Sequence, residues 1–116
     1  MKFRYGLLVL AMVLGQTIGA MAQEQVKLFK IISPKDDVVI GLTTAELLGL
    51  GKGPELDDLA RHLATAGQMT VWQYAVRKDQ GGNLQQAPLK RIAVFKSDTL
   101  RIEPYTTPLL VVAPEK

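Results

Sequence analysis

The sequence predicts an α+β fold: a small single domain with a mainly antiparallel β-sheet and one or two helices packed on one face. Residues 69–78 include the only tryptophan and have the strongest strand composition in the chain, which favours a central strand. Residues 54–66 place leucine and alanine at the three- and four-residue spacing of an amphipathic helix. The apolar segments after residue 78 are separated by short turns, and short turns join antiparallel strands.

A cleaved signal peptide is predicted for residues 1–22. The chain starts with the basic residues Lys2 and Arg4, continues with an apolar run of about ten residues, and reaches Ala20-Met21-Ala22, a signal-peptidase motif. The apolar run is too short to cross a hydrocarbon layer of about 30 Å. We therefore expect residues 23–116 to form the mature domain without a stable membrane anchor. Its location would be periplasmic in a Gram-negative source and secreted otherwise.

The basic character of the chain depends partly on this signal. Two of the 14 lysine and arginine residues lie in residues 1–22, whereas all 11 acidic residues lie after them, so the mature net charge is close to +1. Such a weak charge gives no support for nucleic-acid binding. The chain also has no cysteine, which excludes disulfides and thiolate metal sites.

The first half of the mature chain predicts a strand over residues 26–32 and a short apolar run over 38–42. That run fits either a second strand or an extended lead into a helix. Thr43 and Glu46 have the spacing of a capping box, so a brief helix is expected to begin there. Pro54 suits the first position of a second helix, and Gly67 suits its end.

The second half of the chain predicts strands separated by turns. Residues 79–83 are rich in glycine and Asx residues, which indicates a hairpin turn between the strands 69–78 and 84–95. A further strand is predicted over residues 99–103. Residues 104–108 begin and end with proline, so we expect a surface loop before the apolar run 109–112.

Catalysis has little support in the composition. His62 is the only histidine, and a triad with Ser33 or Ser97 would lack the Gly-x-Ser-x-Gly motif. The neighbouring carboxylates of Asp36 and Asp37 would diverge from each other, so they form a poor catalytic pair, although a weak calcium contact remains open. We predict no catalytic residues, no metal site and no cofactor.

Protein binding has more support than catalysis, because aromatic and arginine side chains suit protein contacts. Trp72 and Tyr74 share one strand face, with buried core as the alternative, and Tyr105 belongs to the proline-bounded loop. The predicted contact residues are Trp72, Tyr74, Arg77, Arg101 and Tyr105. Lys52 and Gly53 form a second, separate candidate, since a helix starting at Pro54 would direct amide groups toward an anion.

Three functional hypotheses follow from these observations. The first is an exported, non-catalytic binding or accessory module that acts through protein–protein contacts. The second is a structural or homo-oligomeric subunit, for which the apolar run 109–112 is the main support. The third is a small hydrolase that uses His62. The expected partner is therefore a protein, either a different protein or a second copy of this chain.

Overall fold

The computed structural model describes residues 25–115, and the predicted signal peptide lies outside them. These residues form one small α+β domain with a mostly antiparallel sheet, as the sequence predicts. Neither helix of the described chain has the length and apolar composition that a membrane crossing requires. The elements are β1 (Val26–Ile32), β2 (Asp37–Thr43), α1 (Thr44–Leu50), α2 (Glu55–Ala66), β3 (Gln68–Lys78), β4 (Leu84–Phe95), β5 (Arg101–Tyr105) and β6 (Leu110–Val111).

Local sequence signals fix the two helices. The Glu46 amide donates to Thr43 Oγ1 at 3.1 Å, and the Thr43 amide donates to Glu46 Oε1 at 2.9 Å, so the predicted capping box starts α1. Pro54 precedes α2 as its N-cap and is not its first residue. Gly67 ends α2 in the left-handed conformation at φ 83°, and its amide donates to the Leu63 carbonyl at 2.9 Å.

The predicted hairpin turn between β3 and β4 is also confirmed. Asp79 Oδ1 accepts hydrogen bonds from the amides of Gly81 at 2.8 Å and Asn83 at 2.9 Å. Gly82 has φ 85°, a conformation that a residue with a Cβ rarely adopts. This turn brings β3 and β4 into a long antiparallel ladder, which is interrupted by a bulge opposite Gln73 and Tyr74.

The sheet order is β5-β1-β2-β3-β4-β6, so β3 is an interior strand. Only β4 and β6 run parallel. β2 is the most buried strand, and its last four residues are all inaccessible. The β2–β3 ladder has two residue pairs, Ile40 with Gln73 and Gly41 with Trp72. This short ladder joins the half of the sheet that contains β5 to the half that contains β4.

The main hydrophobic core lies between the sheet and the helices. Leu59 and Leu63 extend from α2 into this core, where Leu59 is fully buried. Burial of several large side chains of this kind stabilises a domain by roughly 1.5–3 kcal/mol for each side chain. The core cluster consists of Phe29, Ile31, Ile40, Leu42, Leu47, Leu59, Leu63, Val71 and Val94.

Residues 106–115, which we call the C-terminal segment, cover the opposite face of the sheet around Tyr74. Ile40 and Leu42 face the core, so Gly41 between them faces the opposite side, where the Tyr74 ring lies against it. Tyr74 Oη donates to the Val112 carbonyl at 2.7 Å, and the Val112 amide donates to the Gln86 carbonyl at 2.9 Å. The C-terminal segment is thereby fixed across this face.

Two predictions near the carboxyl end are wrong. β5 occupies Arg101–Tyr105, so the strand predicted over 99–103 begins and ends two residues later. Pro104 and Tyr105 therefore belong to a strand, and the predicted loop is confined to residues 106–108. A proline is tolerated there because β5 lies at the edge of the sheet, where a missing N–H disrupts little pairing.

Candidate interaction surfaces

Tyr74, one of the predicted contact residues, is buried beneath the C-terminal segment with 3% of its surface exposed. Burial, and secondarily the nearby negative charge of Glu46, raises the pKa of Tyr74 to about 12. Its hydroxyl already donates to Val112, so both the ring and its polar group serve internal contacts. A partner would reach Tyr74 only by displacing the C-terminal segment.

Trp72 and Arg77 lie together in a small cleft. Trp72 is half-buried, and the Arg91 guanidinium lies 5.5 Å from the centroid of its ring, within the range of a cation–π contact. The cleft has a volume of about 380 Å³ and is bordered by Val112 of the C-terminal segment. The structure therefore brings two of the predicted contact residues to one place, with Arg91 as a neighbour that the sequence did not single out.

Arg101 and Tyr105 lie at opposite ends of β5, which β1 and β2 separate from β3. Tyr105 is half-buried and borders a groove of about 560 Å³ together with Leu28 and Val111. Arg101 is exposed and pairs with Ile32. The five predicted contact residues thus belong to two separate regions and do not form one surface.

The glycine-rich loop between the helices surrounds a carboxylate of the chain itself. Asp58 is 2% exposed and forms an ion pair with Arg61. A Cβ placed on Gly51 would lie 2.8 Å from Asp58 Oδ1, and one on Gly53 would lie 3.3 Å from the same atom. An anion held at Lys52 and Gly53 would therefore meet the negative charge of Asp58, which disfavours this candidate site.

The residues of the hydrolase hypothesis have other contacts. His62 is exposed on α2, whereas Ser33 Oγ donates to the Asp36 carbonyl at 2.9 Å and Ser97 Oγ lies 3.1 Å from Thr99 Oγ1. Asp37 faces Lys30 with its carboxylate 3.7 Å from Nζ. Over residues 25–115, no three histidine or acidic side chains gather as metal ligands.

A further surface, which sequence reasoning missed, lies along the outer side of β4. β6 pairs with Gln85 and Gln86, and beyond this point no strand of the described chain pairs with the outer side of β4. We call residues 89–95 on this side the β4 edge. Alternate residues of an unpaired edge direct their N–H and C=O groups away from the sheet. Leu89 and Phe95 at its two ends are 50% and 62% exposed.

An apolar groove of about 460 Å³, which we call the Phe95 groove, adjoins the β4 edge. Four consecutive residues of β4 border it, from Ile92 to Phe95. Ile92 and Val94 pack on the core side of β4, whereas Ala93 and Phe95 are exposed on the other side. Since β3 pairs with the inner side of all four residues, we infer that the groove meets β4 at its outer side. The other wall includes Ile31, Val38 and Leu100.

Positive charge is concentrated at the same edge. Lys90, Arg91 and Lys96 are exposed, and residues 84–97 contain no acidic side chain. Three ion pairs occur among the described residues, and none of them involves these cations. The edge therefore combines backbone groups without a partner strand, exposed apolar side chains and three cations that form no ion pair within residues 25–115, while the acidic Asp36 and Glu115 lie on other segments nearby.

Comparison with known proteins provides no family assignment, since the chain matches no protein-family model, no curated protein and no solved structure.

Proposed function

We propose that this chain is an exported, non-catalytic accessory module that binds a partner protein. The observation that carries the proposal is the β4 edge, where unpaired backbone groups lie between the exposed side chains of Leu89 and Phe95. An edge strand without a partner is a template for pairing with another chain. Soluble proteins usually protect such edges, and β4 has Pro88, a bulge at Leu89 and the cation Lys90, but the side chains of Leu89 and Phe95 remain exposed. Their exposure here is consistent with a binding role.

The export part of the proposal depends on residues 1–22 alone. It places the mature module in the periplasm of a Gram-negative bacterium, or outside the cell in another source. The homo-oligomeric alternative keeps one support, because Leu110 of the apolar run 109–112 is 68% exposed. The backbone of β6 at the centre of this run pairs with β4 of the same chain, so we favour the accessory module.

The proposal can be tested by chemical crosslinking in the native host, with a tag at the carboxyl terminus. The wild-type chain should give a discrete crosslinked species that is lost in Phe95→Asp. Leu48→Asp is the matched control, because Leu48 is 69% exposed but lies on α1. It should retain the species, as should His62→Ala.

Two results would contradict the proposed function. Crosslinking that is equally strong in Phe95→Asp and in the wild type would exclude the β4 edge as the contact surface. An intact mass that still includes residues 1–22 would contradict export.

A further inference from the structure

We propose that the β4 edge accepts an extended, acidic segment of the partner protein as an additional β-strand, with an apolar side chain of that segment in the Phe95 groove. This inference rests on the proposed function and specifies its binding mode. It has four structural supports, which concern the backbone, the groove, the charge and the opposite edge.

The backbone of β4 already accepts an added strand within this chain. Leu110 and Val111 pair with Gln85 and Gln86 in parallel, and the next amide, that of Val112, donates to the Gln86 carbonyl. The C-terminal segment then turns toward Tyr74 and leaves residues 89–95 unpaired. Seven residues at about 3.3 Å each give an edge roughly 23 Å long, enough for a typical strand.

The Phe95 groove supplies a pocket for side chains of the added strand. In strand addition, main-chain hydrogen bonds provide affinity and pockets for alternate side chains provide specificity. The strand edge forms part of the groove wall, so an added strand would lie at its mouth. Its alternate side chains would then face Ile31, Ile92 and Leu100. This lining favours a branched or aromatic apolar residue.

Charge determines which partner fits. Lys90, Arg91 and Lys96 are not balanced by acidic residues on β4, and Asp36 on the other wall stands next to Lys35. Two copies paired through this edge would bring the cations of both copies close together with no acidic residue on either β4 strand, and like charges facing each other oppose association. A segment with acidic side chains compensates the same charges, so we assign the edge to an acidic partner and not to a second copy.

The opposite edge of the sheet is less suited to strand addition. β5 has five residues, and Pro104 removes one N–H donor from it. Short edge strands and prolines are common protections against pairing. The added strand is therefore expected at β4 alone.

The test uses blocked octapeptides in which valine and glutamate alternate, with valine–lysine octapeptides as the charge control. Trp72 is the only tryptophan in the chain and contacts Arg91 of the edge, so its fluorescence reports binding, and calorimetry checks it. We expect the valine–glutamate probe to bind at least tenfold more tightly than the valine–lysine probe. Equal binding, or no binding of either probe, would overturn the proposal.

Backbone pairing is tested with two N-methylated forms of the valine–glutamate probe, one methylated at every valine amide and the other at every glutamate amide. Alternate amides of an extended strand point to opposite edges, so only one of the two forms should lose binding. If both forms bind as tightly as the parent probe, no strand is added and the proposal is wrong.

Charge-reversed variants of the full mature chain test whether the probe binds at the β4 edge. Lys90→Glu with Lys96→Glu should weaken binding of the valine–glutamate probe at least tenfold. The control Lys52→Glu with Lys78→Glu makes the same change in net charge at exposed positions away from the edge, and it should weaken binding less than twofold. Equal effects of the two pairs would contradict a β4 site.

Light scattering tests whether a second copy of this chain occupies the β4 edge. The wild-type chain should be monomeric, and a dimer that dissociates in Phe95→Asp would show that another copy occupies the edge. If probes fail to bind but host crosslinking still depends on Phe95, partner binding stands and strand addition is wrong. If probes bind but the wild-type chain gives no crosslinked species in the host, the proposed function is wrong.

Discussion

The two edges of the sheet differ in how they are protected. β5 ends one side with five residues, and Pro104 interrupts its donors. β4 ends the other side with twelve residues, of which β6 covers two. Beyond its only proline, Pro88, the uncovered part of β4 contains exposed leucine and phenylalanine side chains and three unpaired cations nearby. Neither edge has a full partner strand in the described part of the chain, but the β5 edge is shorter and contains a proline, whereas the uncovered part of β4 is longer and more apolar.

The comparison shows that tyrosine or tryptophan in a strand does not by itself predict an exposed surface in this molecule. Tyr74 and Tyr105 have the composition of contact residues, but one is buried and the other is half-buried beside β1. The β4 edge contains no tyrosine or tryptophan of its own. The binding proposed for it depends on backbone groups that lack a partner strand.

The largest expected effect concerns the short ladder between the two halves of the sheet. A Cβ on Gly41 would lie 2.7 Å from Tyr74 Cδ1, too close for a contact between carbon atoms. Gly41→Val should therefore displace the Tyr74 ring and reduce the free energy of unfolding by about 3 kcal/mol in urea titrations. Amide protection should fall in both halves of the sheet together, since this ladder joins them.

Gly49→Ala is the matched control for this substitution. No atom lies within 4 Å of a Cβ placed on Gly49, and the residue lies within α1. The control should raise the free energy of unfolding by roughly 0.5–1 kcal/mol, because alanine favours a helix more than glycine does. A Gly41→Val chain as stable as the wild type would contradict the packing described for Tyr74.

A smaller effect is expected from Tyr74→Phe, which removes the hydroxyl that donates to Val112. Loss of this hydrogen bond should cost about 1 kcal/mol of unfolding free energy. The C-terminal segment should then detach more readily from β4, which would lengthen the open edge. Faster amide exchange at Val112, without faster exchange in β1, would support this account.

The same variant tests a pH dependence. The pKa of Tyr74 is raised to about 12 in the folded chain, whereas an unfolded tyrosine titrates near 10. The hydroxyl therefore contributes its stability fully below pH 10 and loses this contribution as the pH rises toward 12. The difference in unfolding free energy between the wild type and Tyr74→Phe should shrink over this interval. A constant difference would contradict burial of this hydroxyl.

The smallest effect is expected at Gln86, where β6 meets β4. Its side-chain oxygen is buried without a hydrogen-bond partner among the described residues. Gln86→Met keeps a side chain of similar length and removes the unsatisfied oxygen, so the free energy of unfolding should rise by about 1 kcal/mol or less. A clear loss of stability in urea titrations would show that this oxygen has a partner, such as a buried water molecule.

Much of the fold could be predicted from the sequence because its signals are local. The capping box at Thr43 and Glu46, the Gly67 helix end and the turn at Asp79 each depend on neighbouring residues, and all three are confirmed. The predicted bounds of β5 were two residues too early because a proline normally ends a strand. Pro104 is tolerated within β5 because the strand lies at the edge of the sheet, and the sequence does not show that position.

The β4 edge could not be predicted either, because it also depends on the position of a strand in the sheet. Residues 89–96 combine apolar and cationic side chains without an acidic residue, but this composition also fits an ordinary interior strand. Whether β4 has one neighbour or two depends on the strand order and on the path of the C-terminal segment. Both are long-range properties, since Tyr74 and Val112 are 38 residues apart.

Hydrogen–deuterium exchange of the mature chain, with and without the valine–glutamate probe, tests the central claim most directly. In the chain alone, the outward amides of residues 89–95 should exchange quickly, because no strand of the described chain pairs with them. The probe should slow the exchange of these amides while those of β5 remain unchanged. Slower exchange over β5 with an unchanged β4 edge would contradict the account.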